Sequence, residues 1–218
     1  MMVLSGVAAS PLLWLGFLLG VRHACDPDHI VAVTSILGRT RHLGQALRIG
    51  AFWGIGHTAT LLATGIAMVL FGVAMPSSAA VTMELVVALM LVLLGVNALR
   101  GARIEENRPS PPHPLVGRLP SALRPLAIGL VHGLAGSGAL VLLATTEIRS
   151  RSGALAYLAL FGAGTVLGMM TITLALAMPF VFGAGRLAAA RTFIVRGAGA
   201  LGIVLGLIIA WRVIGPLR

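Results

Sequence analysis

Six apolar runs, each about as long as a membrane-crossing helix, occupy most of the chain and decide what it can fold into. They cover approximately residues 11–37, 50–73, 81–99, 125–146, 153–180 and 197–215. A transmembrane helix needs about 20 consecutive apolar residues, and a backbone surrounded by lipid must satisfy its hydrogen bonds within the segment. The pattern therefore predicts an all-α, polytopic membrane protein with about six transmembrane helices.

The composition agrees with this prediction and excludes most soluble functions. Hydrophobic residues make up 58% of the 218 residues and charged residues 10%, whereas an average soluble domain is about 45–50% apolar and about 25% charged. The net charge of +10 is the difference between 16 arginines and 6 acidic residues. Most of them lie between the apolar runs, so we attribute them to membrane topology and predict no nucleic-acid partner. Lysine is absent, which excludes a Walker A ATPase within this chain.

The distribution of the arginines predicts the orientation of the chain. The loops at 38–49, 100–124 and 181–196 contain eleven arginines, and the segments on the opposite side of the membrane contain four. Because cytoplasmic loops carry an excess of basic residues, these three loops are predicted to be cytoplasmic and both termini to lie outside. The segment 100–124 also holds five of the eleven prolines, which is typical of a linker.

The two halves of the chain resemble each other. Gly20 and His23 align with Gly129 and His132 at an offset of 109, and the segment 53–56 aligns with 161–164 at an offset of 108. A unit of three spans crosses the membrane an odd number of times, so its second copy must insert the other way up. We therefore expect a 3+3 inverted repeat, with a site near the membrane midplane. Residues 1–99 and 125–218 would be the two three-helix repeats, and 100–124 a cytoplasmic linker.

The first apolar run contains a cluster of charged and metal-ligating side chains at mid-membrane depth. The segment is Arg22, His23, Ala24, Cys25, Asp26, Pro27, Asp28, His29. Each charge there costs about 2.5–3.5 kcal/mol, so the cluster requires pairing, water or a bound cation. An ion pair between Arg22 and one carboxylate, with hydrogen-bonded histidines, is the structural interpretation. It leaves a second acid and two imidazoles unexplained.

A divalent metal site accounts for the whole cluster. His23, Asp26 and His29 recur at i, i+3 and i+6. Pro27 disfavours helical geometry at the residue before it, so we expect the helix to break here and to turn these side chains and Asp28 inward. Imidazole with carboxylate suits Ni, Co, Zn or Fe better than Mg or Ca.

Other residues around the cluster have more than one interpretation. Arg22 is expected to hold the metal-free site by pairing with a carboxylate. Cys25 is either a small apolar filler or a soft ligand. His57 on the second run is either a hydrogen-bonded core residue or a ligand. His132 on the fourth run is either a packing residue or, with Ser137, a second wall of the metal pathway.

The segment from Arg22 to Ile30 closely resembles the signature of the nickel/cobalt transporter family, which has RHA, a variable residue, and DADHI, and contains HxxxxDH. The Gly-His-Thr that ends at Thr58, preceded by aromatic residues, resembles the next motif of that family. The resemblance covers the first two spans and implies an all-helical fold that transports Ni²⁺ or Co²⁺. The residues that it implies to handle the metal are His23, Asp26, Asp28, His29 and His57.

The chain departs from this family in ways that indicate a particular branch. Pro27 replaces an alanine of the signature, six spans replace eight, and the second half lacks an acidic motif of the LGxDTATE type. It therefore resembles the short branch of the superfamily, which includes permease-like proteins linked to urease. The loop at 100–124 lacks the His-rich tract that is typical of the exporters, which favours uptake.

These observations predict a secondary transporter, not an enzyme, that takes up Ni²⁺ or Co²⁺ across a bacterial cytoplasmic membrane through a midplane His/Asp site. The metal ion is its substrate, and no prosthetic group is expected. The predicted partners are the divalent ion and the lipid bilayer, and assembly into a homo-oligomer is left open. The alternatives are export of the same metals, another small-solute carrier that uses the cluster for protons, and an intramembrane zinc hydrolase, although no HExxH motif is present.

Overall fold

Seven α-helices and no strand make up the part of the chain that the computed structural model describes, which is residues 4–38, 40–72, 75–104, 123–134, 148, 150–182 and 188–215. The helices are α1 (Leu4–His23), α2 (Pro27–Leu37), α3 (Leu43–Phe71), α4 (Ser77–Ile104), α5 (Arg124–His132), α6 (Arg151–Phe182) and α7 (Ala188–Ile214). Of these, α3, α4, α6 and α7 are long and apolar enough to cross a membrane. The prediction of an all-α membrane protein is confirmed.

The predicted spans correspond to these helices with two differences. The first run is divided into α1 and α2, and the fourth begins as the nine-residue α5. The rest of the fourth run, from residue 135 to 147, lies outside the described residues. So does most of the predicted linker, residues 105–122, and α4 extends into the start of that linker.

The break between α1 and α2 is where the sequence predicts it. Asp26 precedes Pro27 and has extended geometry, with φ −60° and ψ 142°, because the proline ring disfavours the helical conformation of the residue before it. The amide of Asp26 donates to the carbonyl oxygen of His23 over 3.0 Å, and that of Cys25 to Arg22 over 2.8 Å. These tight turns end α1, and Pro27 begins α2 at a position that needs no amide donor.

The helices pack as pairs around a buried apolar core. α3 lies between α5 and α6, α6 also contacts α1, and α4 pairs with α7. The short α2 packs against α7, α4 and α6. The core is formed by residues of α2, α3, α4, α5 and α6, among them Val33, Leu37, Trp53, Leu91 and Met169.

Glycines allow pairs of helices to approach to backbone contact, and Gly164 and Gly56 are two examples. A Cβ at Gly164 in α6 would meet backbone atoms of Phe17 and Val21 in α1. A Cβ at Gly56 in α3 would meet backbone atoms of Leu126 and Leu130 in α5. Small residues at such positions are typical of membrane helix pairs, which gain their stability from close packing.

The outer surface of the bundle is apolar. The large exposed side chains include Trp14, Phe71, Phe193 and Trp211, each more than half exposed. So many large exposed apolar side chains would cause aggregation in water, and they fit a surface that contacts lipid.

Candidate metal centre

The break between α1 and α2 orients the first residues of the site. His23 is the last residue of α1, and Asp26 is the N-cap of α2. The carboxylate of Asp26 makes no capping hydrogen bond to α2. Its Oδ2 accepts a hydrogen bond from Nδ1–H of His23 over 2.8 Å instead. The turn therefore uses Asp26 to hold the ring of His23 in one orientation.

Three imidazoles from three helices meet at this break. His57, the central residue of α3, faces His23 with 3.0 Å between their Nε2 atoms. The ring centroid of His29 lies 4.7 Å from that of His23 and 4.9 Å from that of His57. One ligand atom from each of the three histidines lies within 4.8 Å of the others. That spacing allows one metal ion to bind all three.

For neutral rings, the hydrogen bonds assign one tautomer to each histidine. His29 donates Nδ1–H to the carbonyl oxygen of His23 over 2.8 Å, and His23 donates Nδ1–H to Asp26. Neutral rings held in this way keep Nε2 free of a proton, as a metal-binding imidazole does. His57 then donates Nε2–H to His23, and its Nδ1 is buried without a hydrogen-bond partner in the described part of the chain. Such an unpaired atom costs about 1–3 kcal/mol.

A second set of candidate ligands shares His29 with the first. His132, the last residue of α5, donates Nε2–H to Oδ2 of Asp28 over 2.9 Å. The ring of His132 lies 4.5 Å from that of His29, and ligand atoms of Asp28, His29 and His132 again lie within 4.8 Å of one another. Nδ1 of His132 is buried without a partner among the described residues. His132 thus joins the cluster, whereas Ser137, expected beside it, lies outside the described residues.

Two aromatic side chains enclose the cluster, and the sequence motifs do not identify them as site residues. The ring of Trp53 in α3 lies 5.6 Å from that of His29 and 5.8 Å from that of His132. The ring of Phe161 in α6 lies 5.5 Å from that of His23. Both are fully buried, and by excluding water they strengthen the electrostatic interactions of the site. The alignment of Trp53 with Phe161 between the two halves is the signal that could have found them.

The electrostatic field at the cluster favours a cation. α1 ends at His23 and α5 ends at His132, and each helix C-terminus carries a partial negative charge of about half a unit. The carboxylates of Asp26 and Asp28 lie at the N-terminus of α2 and more than offset its partial positive charge. Discontinuous helices of membrane transporters coordinate cations with such C-terminal ends.

Three residues that the sequence associates with the metal lie in neither set of ligands. Asp26 holds His23 from the side away from the other histidines. Arg22 is exposed, and both ion pairs among the described residues are formed by histidines, so the expected pairing of Arg22 with a carboxylate is not observed. Cys25 is exposed, and its thiol donates to the carbonyl oxygen of Val21 over 3.6 Å. This position favours the interpretation of Cys25 as a residue that does not bind metal.

Comparison with known proteins relates the chain to three others. It is 35% identical over 192 residues to the urease accessory protein UreH of Bacillus sp. strain TB-90, an alignment that covers 84% of this chain and 83% of UreH. It is 27% and 28% identical to the chloroplast proteins FOR GROWTH AND FERTILITY 1 and 2 of Arabidopsis thaliana. Those alignments cover 73% of this chain but 48% and 45% of the two plant proteins. No family model and no solved structure matches the chain.

Proposed function

The chain belongs to the family of the urease accessory protein UreH, and from this premise we propose that it is a secondary transporter that carries Ni²⁺, or Ni²⁺ and Co²⁺, across the cytoplasmic membrane. The observation that carries the proposal is the cluster of four imidazoles and Asp28 inside the helical bundle. Ionisable side chains within membrane helices are costly and typically mark ion pathways.

The ligand types narrow the choice of ion. Imidazole and carboxylate suit Ni, Co, Zn and Fe, whereas Mg and Ca prefer oxygen ligands alone. The name of the UreH relative, an accessory protein of urease, supports nickel among these metals. The resemblance of the first two spans to nickel/cobalt transporters supports the same choice. No feature of the described residues favours a hydrolase, because both acids of the cluster are engaged with histidines.

The packing of the helices supports an inverted repeat. A Cβ at Gly20 in α1 would meet Phe161 and Thr165 of α6, and a Cβ at Gly129 in α5 would meet Trp53 and His57 of α3. Each residue of the second contact is the counterpart of one in the first at an offset of 108 or 109. Exchanging the halves therefore maps the α1–α6 interface onto the α5–α3 interface. We propose that residues 1–99 and 125–218 are two repeats joined by a cytoplasmic linker at 100–124.

This arrangement suits transport by alternating access. α1 and α5 enter the membrane from opposite sides in the proposed topology, with both termini outside, and each ends in a histidine at the cluster. An ion would exchange its water for His23, His29 and His57 on one side, and rocking of one repeat against the other would open the cluster to the other side.

Accumulation of radioactive nickel in cells tests the proposal. Cells with the protein should accumulate more nickel than cells with an empty vector, and a His23→Ala/His29→Ala double variant at equal membrane level should return to the vector value. His42→Ala is the matched control because His42 is exposed at the start of α3, away from the cluster.

The outcomes separate the alternatives. Accumulation below the vector control would mean export through the same site. Full accumulation by the double variant would refute the role of the cluster. Equal accumulation with and without the protein, for cobalt as well as nickel, would refute transport of both metals.

A further inference from the structure

The ligands of the cluster form two sets of three rather than one set of five. His23, His29 and His57 make one set, and Asp28, His29 and His132 make the other. His29 is common to both sets, and a single nitrogen of an imidazole coordinates one ion at a time. Resting on the proposed function, we infer that a transported ion occupies two overlapping positions in turn and passes from one to the other while it stays bound to His29.

His29 is built to remain in place during such a transfer. Its ring is fully buried, its Nδ1–H is bonded to the carbonyl oxygen at the end of α1, and it lies among the rings of His23, His57 and His132. An ion that keeps one ligand while it exchanges the other two never loses its whole coordination shell inside the helical bundle. Exchange of ligands at His29 thus avoids the large cost of a bare cation in a low-dielectric interior.

The proposed pseudo-symmetry relates His23 of the first position to His132 of the second. His23 packs its ring against Phe161 and ends α1, and His132 packs its ring against Trp53 and ends α5. α1 enters the membrane from outside in the proposed topology and ends at His23. The set with His23 and His57 would therefore receive the ion first during uptake, and the set with Asp28 and His132 would hold it before release.

The two sets also differ in charge. The first set offers three neutral imidazoles, and the second offers two imidazoles and the carboxylate of Asp28. In the absence of metal, Asp28 accepts the proton of His132 Nε2–H. An ion that binds Nε2 of His132 would replace that hydrogen bond, and the proton of Nε2 would have to move to Nδ1, which has no partner among the described residues. Arrival of the ion would therefore break the hydrogen bond between α5 and α2.

The test counts the imidazoles around nickel in the purified protein by X-ray absorption and measures nickel uptake for the same variants. His132→Gln and Asp28→Asn should each keep one bound ion with three imidazoles and lose at least about tenfold in uptake. His57→Gln should keep one ion with two imidazoles and a carboxylate. His29→Gln should lose binding, and His42→Gln should match the wild type in both measurements.

A single five-ligand site would give a different pattern. Four imidazoles around nickel in the wild type, or fewer than three in Asp28→Asn, would overturn the transfer. Two ions bound at once to one chain would also overturn it, since both positions need His29. Asp28→Asn still tests the proposal if the histidine variants fail to fold, because the side chain of Asp28 is partly exposed. A wild type that neither binds nor transports nickel would instead refute the proposed function.

Discussion

Replacing Gly164 with alanine is expected to force α1 away from α6 and to lower stability. The added methyl group would meet the carbonyl group of Phe17, with its carbon at 3.0 Å, and the amide nitrogen of Val21 at 3.2 Å. These are backbone atoms, so no side-chain rotation relieves the contact and one helix must move. Overpacking of this kind costs up to about 3 kcal/mol, and the better helix propensity of alanine returns about 1 kcal/mol. The net loss of about 2 kcal/mol corresponds to a fall of roughly 4–8 °C in unfolding temperature.

Two further alanine variants make this prediction specific. Gly197 in α7 has nothing within 4 Å of its added Cβ, so Gly197→Ala should gain about 1 kcal/mol from helix propensity alone. Gly56→Ala should match Gly164→Ala, because its methyl meets the backbone of α5 in the same way. Thermal unfolding of the three purified variants in detergent measures these shifts.

The comparison can fail in two distinct ways. If Gly164→Ala is as stable as Gly197→Ala, α1 and α6 are not in backbone contact. If Gly164→Ala is destabilised and Gly56→Ala is not, the two interfaces are not equivalent and the repeat loses its main support. Val21 lies two residues before His23 in α1, so nickel uptake per folded molecule should fall with stability in Gly164→Ala.

Three other variants test single contacts. Asp26→Ala removes the acceptor of His23 Nδ1–H but no capping bond, so the nickel affinity measured by titration should fall about 10–100-fold, as for an outer-shell partner; a complete loss would make Asp26 a ligand. Cys25→Ala should leave nickel uptake unchanged, because the thiol is exposed and bonded to the backbone; a loss of uptake would return Cys25 to the ligand set. Arg191→Gln removes donors to the carbonyl oxygen of Gly38 at the end of α2 and should lower the unfolding temperature by a few degrees, while an unchanged temperature would show that this contact adds no stability.

The sequence predicts the helices and the position of the break well, because both depend on local chemistry. Long apolar runs must be helical in a membrane, and Pro27 prevents its neighbour from being helical. The sequence also predicts that His23, Asp28, His29 and His57 cluster, because polar side chains inside a membrane are stabilised by pairing with one another. Their role as metal ligands stays a prediction that the proposed experiments address.

The roles of individual residues in the cluster are harder to predict, because the break removes the periodicity on which spacing arguments depend. Once α1 ends at His23, the i, i+3 relation between His23 and Asp26 describes a turn, in which Asp26 contacts the far side of the ring. Arg22 in the last turn of α1 is exposed. The packing of Trp53 against two histidines depends on how α3 lies against α5. Local spacing in the sequence encodes neither the exposure of Arg22 nor the packing of Trp53.

The proposed repeat is symmetric in its scaffold but not in its ligands, and transport gives a physical reason for the difference. The counterpart of His57 in the second half is Thr165, which is buried and donates to the carbonyl oxygen of Phe161, and the counterpart of His29 in the sequence is Gly138. Rocking of the two halves requires only that their interfaces be interchangeable. Release requires that binding be weak enough for the ion to leave. In the proposed transport, a second complete set of imidazoles would bind the ion too tightly for release, whereas two sets that share the single His29 would let the ion pass.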